Sequence, residues 1–198
     1  MHQLILASKS PRRRDLLKKA GFCFHVDPVK VSEIIDENLN PRAVAESLAW
    51  AKSEAFIQER KPLKKHGFLV LSADTIVALG HQVLGKPRNS TEAKSHLLRL
   101  SGKVHSVITA LCIYDVDRGR DVVASEETLV FFHQLSEQEI SEYVASGEPM
   151  DKAGAYAIQG VAGKFVDRIE GSFSNVVGLP MELFKKIIKE NGWQIGSK

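Results

Sequence analysis

The sequence predicts an α/β fold in one domain that spans residues 1–198. The chain opens on a strand, a helix and a strand, holds a nearly continuous apolar run from Leu69 to Leu79, and closes on an amphipathic helix. A long apolar run is typical of strands buried on both faces, so helices should cover the sheet. With 43% apolar and 26% charged residues, the chain can bury a substantial core.

The first half of the chain carries clear start and stop signals. Ser10 is a helix N-cap followed by proline at the first helical position, and Gly21 is a C-cap. Pro41 starts a second helix whose apolar residues recur at helical spacing. The predicted elements are strand 4–7, helix 11–20, strand 22–26, helix 41–60, and strands 68–73, 76–79 and 82–84.

The second half contains longer β-rich runs. Asn89 and Glu92 resemble a capping box that opens a helix through Leu100. Residues 151–163 are rich in glycine and alanine without a clean period, which predicts a loop with short elements. The remaining elements are strands 106–114 and 122–132, helix 137–145, strand 165–169 and helix 180–190.

Composition excludes several protein classes. The net charge of +3 is too small for a dedicated nucleic-acid surface, although it suits an anionic small molecule. Cys23 and Cys112 lie far apart and form neither a disulfide framework nor a zinc motif. The first apolar run is too short for a signal peptide, and no segment is long enough to cross a membrane. We therefore expect a cytoplasmic protein.

Three arginines, Arg12, Arg13 and Arg14, crowd the first turn of the first predicted helix. The helix dipole makes this end unfavourable for cations, so a purely solvated basic face is the weaker of two explanations. Free backbone N–H groups, the hydroxyls of Ser8 and Ser10, and guanidinium groups together suit a phosphate.

Asp74 interrupts the central apolar run. A buried carboxylate needs an ionic partner, a metal, backbone N–H donors at a strand break, or a position facing a cleft. Glu33 and Asp36 lie in a polar stretch that could reach the same cleft, where Mg²⁺ on a nucleotide takes one or two carboxylates. Loop carboxylates are, however, commonly just solvated.

Lys86 lies between Gly85 and Pro87. A rigid loop of this kind suits a lysine that contacts a phosphate, and the same residues equally suit a simple tight turn. A P-loop, a His-Glu-x-x-His motif and a Gly-x-Ser-x-Gly elbow are all missing. The polar segment 171–175 before Gly178 is either a ligand loop or a simple turn before the last helix.

Several segments together closely resemble the Maf family of nucleoside triphosphate pyrophosphatases. The resemblance covers most of the chain, from Leu4 to beyond Pro180, and the motifs follow one another in one order. They are Ala-Ser-Lys-Ser-Pro-Arg-Arg at 7–13, Ser-Ala-Asp-Thr-Ile-Val at 72–77, Leu-Gly-Lys-Pro at 84–87, Ser-Gly-Lys-Val-His at 101–105, Gly-Glu-Pro-Met-Asp-Lys-Ala-Gly-Ala-Tyr at 147–156, Ile-Gln-Gly at 158–160, Gly-Ser at 171–172 and Asn-Val-Val-Gly-Leu-Pro at 175–180.

The resemblance implies an elongated mixed sheet flanked by helices, with two lobes around a central cleft, and metal-dependent hydrolysis between the α- and β-phosphates. It makes Asp74 the catalytic base and, with Glu33, a ligand of Mg²⁺ or Mn²⁺. Thr75 and Gln159 resemble the subgroup that acts on dTTP and UTP, and Asn89 stands where relatives often carry aspartate. By position, the remaining polar cleft residues are Lys52 and Lys86, with the phosphate-binding turn formed by Ser8, Arg12 and Arg13.

The expected partner is a nucleoside triphosphate, without nucleic acid or membrane, and a homodimer is left open by the sequence. An alternative function is a nucleotide-binding regulator of cell division or septum formation with little turnover. A nucleic-acid binder is disfavoured because interleaved aromatic residues and a broad basic stripe are missing.

Overall fold

A computed structural model describes residues 1–31, 36, 39–60 and 67–196. Seven strands form one mixed sheet. The strands are β1 (Gln3–Leu6), β2 (Phe24–Val26), β3 (Phe68–Leu79), β4 (Gln82–Leu84), β5 (Val104–Asp115), β6 (Arg120–Phe132) and β7 (Val166–Glu170).

Six helices flank the described part of the sheet, together with short 3-10 helices at Glu148–Asp151, Ala153–Ala155 and Val161–Phe165. Caps placed by the sequence define several of their starts, because Ser10, Asn40, Asn89 and Ser136 each accept a hydrogen bond from a backbone N–H three residues on. The helices are α1 (Pro11–Lys19), α2 (Pro41–Glu59), α3 (Ser90–Leu100), α4 (Glu137–Ala145), α5 (Phe173–Val177) and α6 (Met181–Glu190).

The sheet has a gap along one edge of β3, its long inner strand. The strand order is β2-β1-β3-β5-β6-β7, with β4 also paired to β3. β1 runs parallel to β3 as far as Leu71, and β4 pairs antiparallel to it from Val77 onward. Between Leu71 and Val77, no strand of the described chain pairs with this edge, while the opposite edge is continuously paired to β5.

Hydrophobic clusters on either side of the gap define two lobes. One lobe joins β1, α1 and α6 through residues such as Leu6, Leu17 and Phe184, with α2 packed on the other sheet face. The second lobe joins α3, α4 and the far end of β3 through Leu97, Tyr143 and neighbours. The predicted α/β architecture with two lobes around a cleft is therefore confirmed.

Most predicted elements are present, with differences where polar residues interrupt a pattern. Residues 68–79 form one strand rather than two, because Asp74 and Thr75 stay in register with Ala110 and Thr109 of β5. Of the segment 171–175, predicted as a ligand loop or a simple turn, residues 173–175 instead belong to α5. None of the helices in the described ranges combines the length and apolar character needed to span a bilayer.

Candidate functional site

A cleft of about 660 Å³ opens where the edge of β3 is unpaired. Its walls come from the turn between β1 and α1, from α2, from the loop after β4, and from the segments 151–159 and 176–178. The cleft thus lies between the two lobes, and segments distant in sequence meet there.

The turn before α1 is ordered by its own hydroxyl groups. Ser8 Oγ accepts a hydrogen bond of 3.2 Å from the backbone N–H of Ser10, and Ser10 Oγ accepts one of 3.4 Å from the N–H of Arg13. Pro11 fits at the first helical position, where no backbone donor is needed. The first turn of α1 carries no acidic residue. The positive end of the helix dipole faces the cleft, where it can stabilise an anion.

Arg13 is held by the protein itself. Its Nε donates to the carbonyl oxygen of Gly178 at 2.7 Å, while its terminal nitrogens donate to Ser8 Oγ at 3.1 Å and to Thr75 Oγ1 at 3.2 Å. These bonds join α1, β3 and the turn after α5. The geometry therefore gives Arg13 a role in organising the turn before α1, which the sequence analysis did not anticipate.

Asp74 is buried, with 7% of its surface exposed, and it is paired with Lys52 of α2. Lys52 Nζ donates a hydrogen bond to Asp74 Oδ1. An ionic partner and a position facing the cleft thus explain the buried carboxylate, and the alternative of a strand break was wrong because β3 continues through it.

The cleft is strongly basic. Among the described residues, its carboxylates are Asp74 and Asp151. The basic side chains that line it are Lys9, Arg12, Arg13, Lys30, Lys52, Lys86 and Lys152. This excess of positive charge suits a polyanionic ligand with several phosphate groups.

A tight backbone approach places Lys86. The N–H of Gly154 donates to the carbonyl oxygen of Gly85 at 3.1 Å, so the motif 147–156 is tied to the Gly85-Lys86-Pro87 loop. Gly154 has φ 64°, and a Cβ atom there would lie 2.8 Å from the side chain of Val77. Only glycine fits this position without displacing β3, and the lysine loop depends on it.

The sequence analysis assigned no role to three residues that line the cleft, Asp151, Lys152 and Tyr156. Lys152 donates to Asp151, and this hydrogen bond holds the pKa of that carboxyl below its usual range. Tyr156 OH lies 2.8 Å from Nε2 of His105, and burial raises the pKa of the phenol. All three residues belong to the motif 147–156, which is the sequence feature that could have identified them. The turn of this segment places them beside β3.

Most predicted site residues converge on the cleft. It contains Ser8, Arg12, Arg13, Lys52, Asp74, Thr75, Lys86 and Gln159. Glu33 lies outside the described residues, so its predicted role stays a prediction. Asp36 is exposed and is not among the described residues that line the cleft.

Asn89 is not at the cleft. Its Oδ1 accepts a hydrogen bond of 2.9 Å from the N–H of Glu92, which makes it the N-cap of α3. Glu92 accepts from the N–H of Arg88 at 2.7 Å, so the reciprocal bond of the predicted capping box goes to the preceding residue. The asparagine therefore has a structural role.

The donor set fits a cation that arrives on a ligand. Within residues 1–31, 36, 39–60 and 67–196, no cluster of three or more His, Cys, Asp or Glu side chains could hold a metal by itself. Mg²⁺ bound to a nucleotide needs only one or two protein carboxylates, because phosphate oxygens and water supply its other ligands. Asp74, which lies among the basic side chains of the cleft, can supply such a carboxylate.

The chain is similar to known proteins over nearly its whole length. The family model described as Maf-like protein matches residues 3–191. The dTTP/UTP pyrophosphatase of Bdellovibrio bacteriovorus is 48% identical over 94% of this chain and 97% of its own length. The dTTP/UTP pyrophosphatase of Desulfitobacterium hafniense is 44% identical over 98% and 87%, respectively.

A solved structure supports the fold alone. The Staphylococcus aureus Ham1 protein superposes with a TM-score of 0.52 at 13% identity, covering 96% of this chain and 99% of that chain. The family model spans nearly the whole sequence, including every described segment that lines the cleft. The chain therefore belongs to the Maf family.

Proposed function

We propose that this chain is a nucleoside triphosphate pyrophosphatase that hydrolyses dTTP and UTP to the monophosphate and pyrophosphate, as one domain over residues 1–198. The observation that carries the proposal is the Lys52–Asp74 pair, a buried carboxylate set in a basic cleft. The names of the relatives at 44% and 48% identity support the choice of substrates.

The triphosphate binds through the cations of the cleft. Arg12, in the first turn of α1, and Lys86, in the loop after β4, line the cleft from opposite lobes and contact phosphate oxygens together with the N-terminus of α1. Arg13 supports this turn through Ser8. Phosphoryl transfer depends mainly on positioning and charge stabilisation, which such an arrangement supplies.

Asp74 takes a proton from the attacking water as its oxygen forms the new bond to phosphorus. The bond between the bridging oxygen and the α-phosphorus breaks, and pyrophosphate leaves with that oxygen. Lys52 orients the carboxylate through its hydrogen bond to Oδ1. Mg²⁺ or Mn²⁺, when bound by Asp74 and Glu33 together with phosphate oxygens, would offset the charge that develops on the leaving group.

Base recognition belongs to the lobe that carries segment 157–159. Gln159 is exposed at the rim of the cleft, where its amide can donate to the O4 of uracil or thymine. We also propose that the protein works in the cytoplasm, which agrees with its two free cysteines.

The test is pyrophosphate release from dTTP, UTP, CTP, GTP and ATP with Mg²⁺ or Mn²⁺. We expect dTTP and UTP to be turned over fastest, and EDTA to abolish turnover. Tight nucleotide binding without pyrophosphate release would overturn the proposal and favour a regulatory protein. Preference for a purine triphosphate would overturn the substrate assignment while leaving the hydrolytic activity in place.

A further inference from the structure

We infer that two copies of this chain associate through the open edge of β6, where residues 120–126 of one copy pair antiparallel with the same residues of the other. The two-fold axis lies at Val123, and the sheets of the two copies join across it. This inference is independent of the proposed hydrolysis, because the edge is separate from the residues that line the cleft.

The first half of β6 has a strand on one side only. β5 pairs with β6 from Arg120 to Phe131, whereas β7 pairs with it only from Leu129 onward. No strand in the described ranges covers the second edge before Leu129. The register with β5 is continuous through this stretch, and the stretch contains no proline. A regular strand of this kind presents a row of backbone donors and acceptors that another strand can use.

The backbone groups on the open edge belong to odd-numbered residues. The N–H of Phe132 donates to the carbonyl oxygen of Lys103 at 3.1 Å, so the even-numbered residues of β6 bond towards β5. The residues whose N–H and C=O groups point outward are Asp121, Val123, Ser125 and Glu127. Arg42 of α2 donates to the Ser125 carbonyl oxygen at 3.3 Å, which agrees with this direction. That oxygen has a second lone pair for a strand partner.

Two-fold symmetry restricts how this edge can pair with itself. Side chains that lie opposite each other across an antiparallel pair point to the same face of the sheet. The axis must therefore pass through a residue that faces its own copy. With the axis at Val123, whose backbone groups point outward, the two copies of this valine exchange both of their hydrogen bonds. The neighbouring pairs are then Val122 with Ala124, Asp121 with Ser125, and Arg120 with Glu126.

Charge selects this register over its neighbours. Arg120 lies opposite the Glu126 carboxylate of the second copy, and symmetry makes this contact twice. Moving the axis to Ala124 would place Asp121 opposite Glu127, whereas moving it to Val122 would leave Arg120 opposite an alanine. Opposite charges in directly facing positions stabilise a strand pair, and like charges destabilise it.

Glu126 is a carboxylate that a second copy can neutralise. Its Oε2 is buried and has no hydrogen-bond partner in the described part of the chain. Burial, together with the charge of Glu182 on α6, raises the pKa of Glu126. Arg120 is exposed, and it donates to Asn191 Oδ1 at 3.2 Å. Since the Glu126 side chain is only partly buried, a guanidinium group from outside can reach it and form a charge-assisted hydrogen bond.

The centre of the edge suits a strand partner as well. Val123 is 37% exposed, and its neighbours Val122 and Ala124 are partly buried on the other face against the core beneath α6. Pairing Val123 with its own copy covers this exposed apolar side chain, and valine favours extended strands. The flanking charges admit a strand of complementary pattern and disfavour others.

Sedimentation equilibrium of the full chain at about 1 to 100 μM tests for the dimer. Arg120→Glu sets carboxylates opposite each other at two symmetric positions, and Glu126→Arg does the same with guanidinium groups. Each variant should raise the dissociation constant of the dimer by about tenfold or more. The double variant Arg120→Glu/Glu126→Arg exchanges the two charges, so it should dimerise about as tightly as wild type.

A matched control separates this contact from a general effect of charge. Glu142→Arg makes the same change as Glu126→Arg on the exposed face of α4. It should leave the dissociation constant of the dimer unchanged.

A cysteine cross-link tests the position of the axis in a Cys23→Ser background, which removes the partly exposed native thiol. The axis places the two Cα atoms of residue 123 about 5.5 Å apart, a separation that a disulfide can span. Oxidation should therefore link Val123→Cys chains in pairs. Glu127→Cys, at the far end of the edge, should stay unlinked.

A protein that remains monomeric over the whole concentration range overturns the inference. A dimer that neither single charge reversal weakens also overturns it, because such a dimer uses another surface. Single variants that weaken the dimer without rescue in the double variant, or cross-linking of Glu127→Cys in place of Val123→Cys, overturn the register.

Discussion

Lys52 on α2 donates a hydrogen bond to Asp74 on β3 at the one stretch where an edge of that strand has no strand partner among the described residues. Only 16% of the lysine side chain and 10% of the aspartate side chain are exposed. The pair holds the carboxylate between the two lobes. Replacing either residue should therefore lower catalytic activity more than it lowers the stability of the hydrophobic core.

Replacing Asp74 with Asn keeps the size and removes the charge. We expect a loss of kcat on the order of a hundredfold or more with UTP, the scale for a lost acid-base group. Pyrophosphate release under saturating Mg²⁺ measures it, and near wild-type turnover would disprove the catalytic assignment. Asp115→Asn is the matched control. That carboxylate is 1% exposed and bonds Trp193 at 2.7 Å, so its loss should cost stability and spare turnover.

Arg12 and Arg13 should respond differently to alanine. The helix dipole predicts that losing either cation is neutral or slightly stabilising. Arg13, however, donates to Ser8, Thr75 and Gly178, so Arg13→Ala should lower the free energy of unfolding by about 1 to 3 kcal/mol. Arg12→Ala should raise KM for UTP at unchanged melting temperature. Equal thermal shifts in the two variants would contradict this division of roles.

Gln159→Glu tests the contact to the base. The substitution removes the amide donor and keeps acceptors, so hydrolysis of UTP should fall more than hydrolysis of CTP. The ratio of kcat/KM for the two substrates measures the effect, with Gln138→Glu on the exposed face of α4 as a control. If the ratio stays as in wild type, Gln159 does not read the base.

Stability should depend on pH through His105, whose pKa burial lowers from 6.5 to about 4. Because the unfolded chain takes up a proton first, this residue's contribution is complete above pH 6.5 and is lost as pH falls towards about 4. The slope reaches about 1.4 kcal/mol per pH unit within that window.

Urea unfolding between pH 7 and 5 should therefore show a smaller loss for His105→Gln than for wild type. Burial also lowers the pKa of His96, so the informative quantity is the difference between the two proteins. Identical pH profiles would show that folding leaves the pKa of His105 unchanged.

The sequence was sufficient for local features of the fold. Ser10 and Asn89 cap the helices as predicted, since capping depends on residues three positions apart. The missed α5 has only five residues, too few for a helical period to show. Family resemblance placed most of the cleft residues, which chemistry alone had left with alternatives.

Contacts between segments that are distant in the chain could not be predicted from the sequence. Lys52 and Asp74 meet through the packing of α2 on β3, and Thr109 meets Asn175 across 66 residues. Which buried hydroxyl group donates and which accepts depends on each partner in such a chain of hydrogen bonds. No spacing rule predicts it, because the partners are assigned only once the backbone is in place.

The alternation of Asp74 and Thr75 on one strand has a consequence for how such proteins diversify. Asp74 and Thr75 occupy opposite faces of β3, in different packing environments, one against Lys52 of α2 and the other against Arg13 of α1. A substitution on the Thr75 face can therefore change one wall of the cleft while the Lys52–Asp74 pair persists. The two faces of this strand can accumulate changes separately.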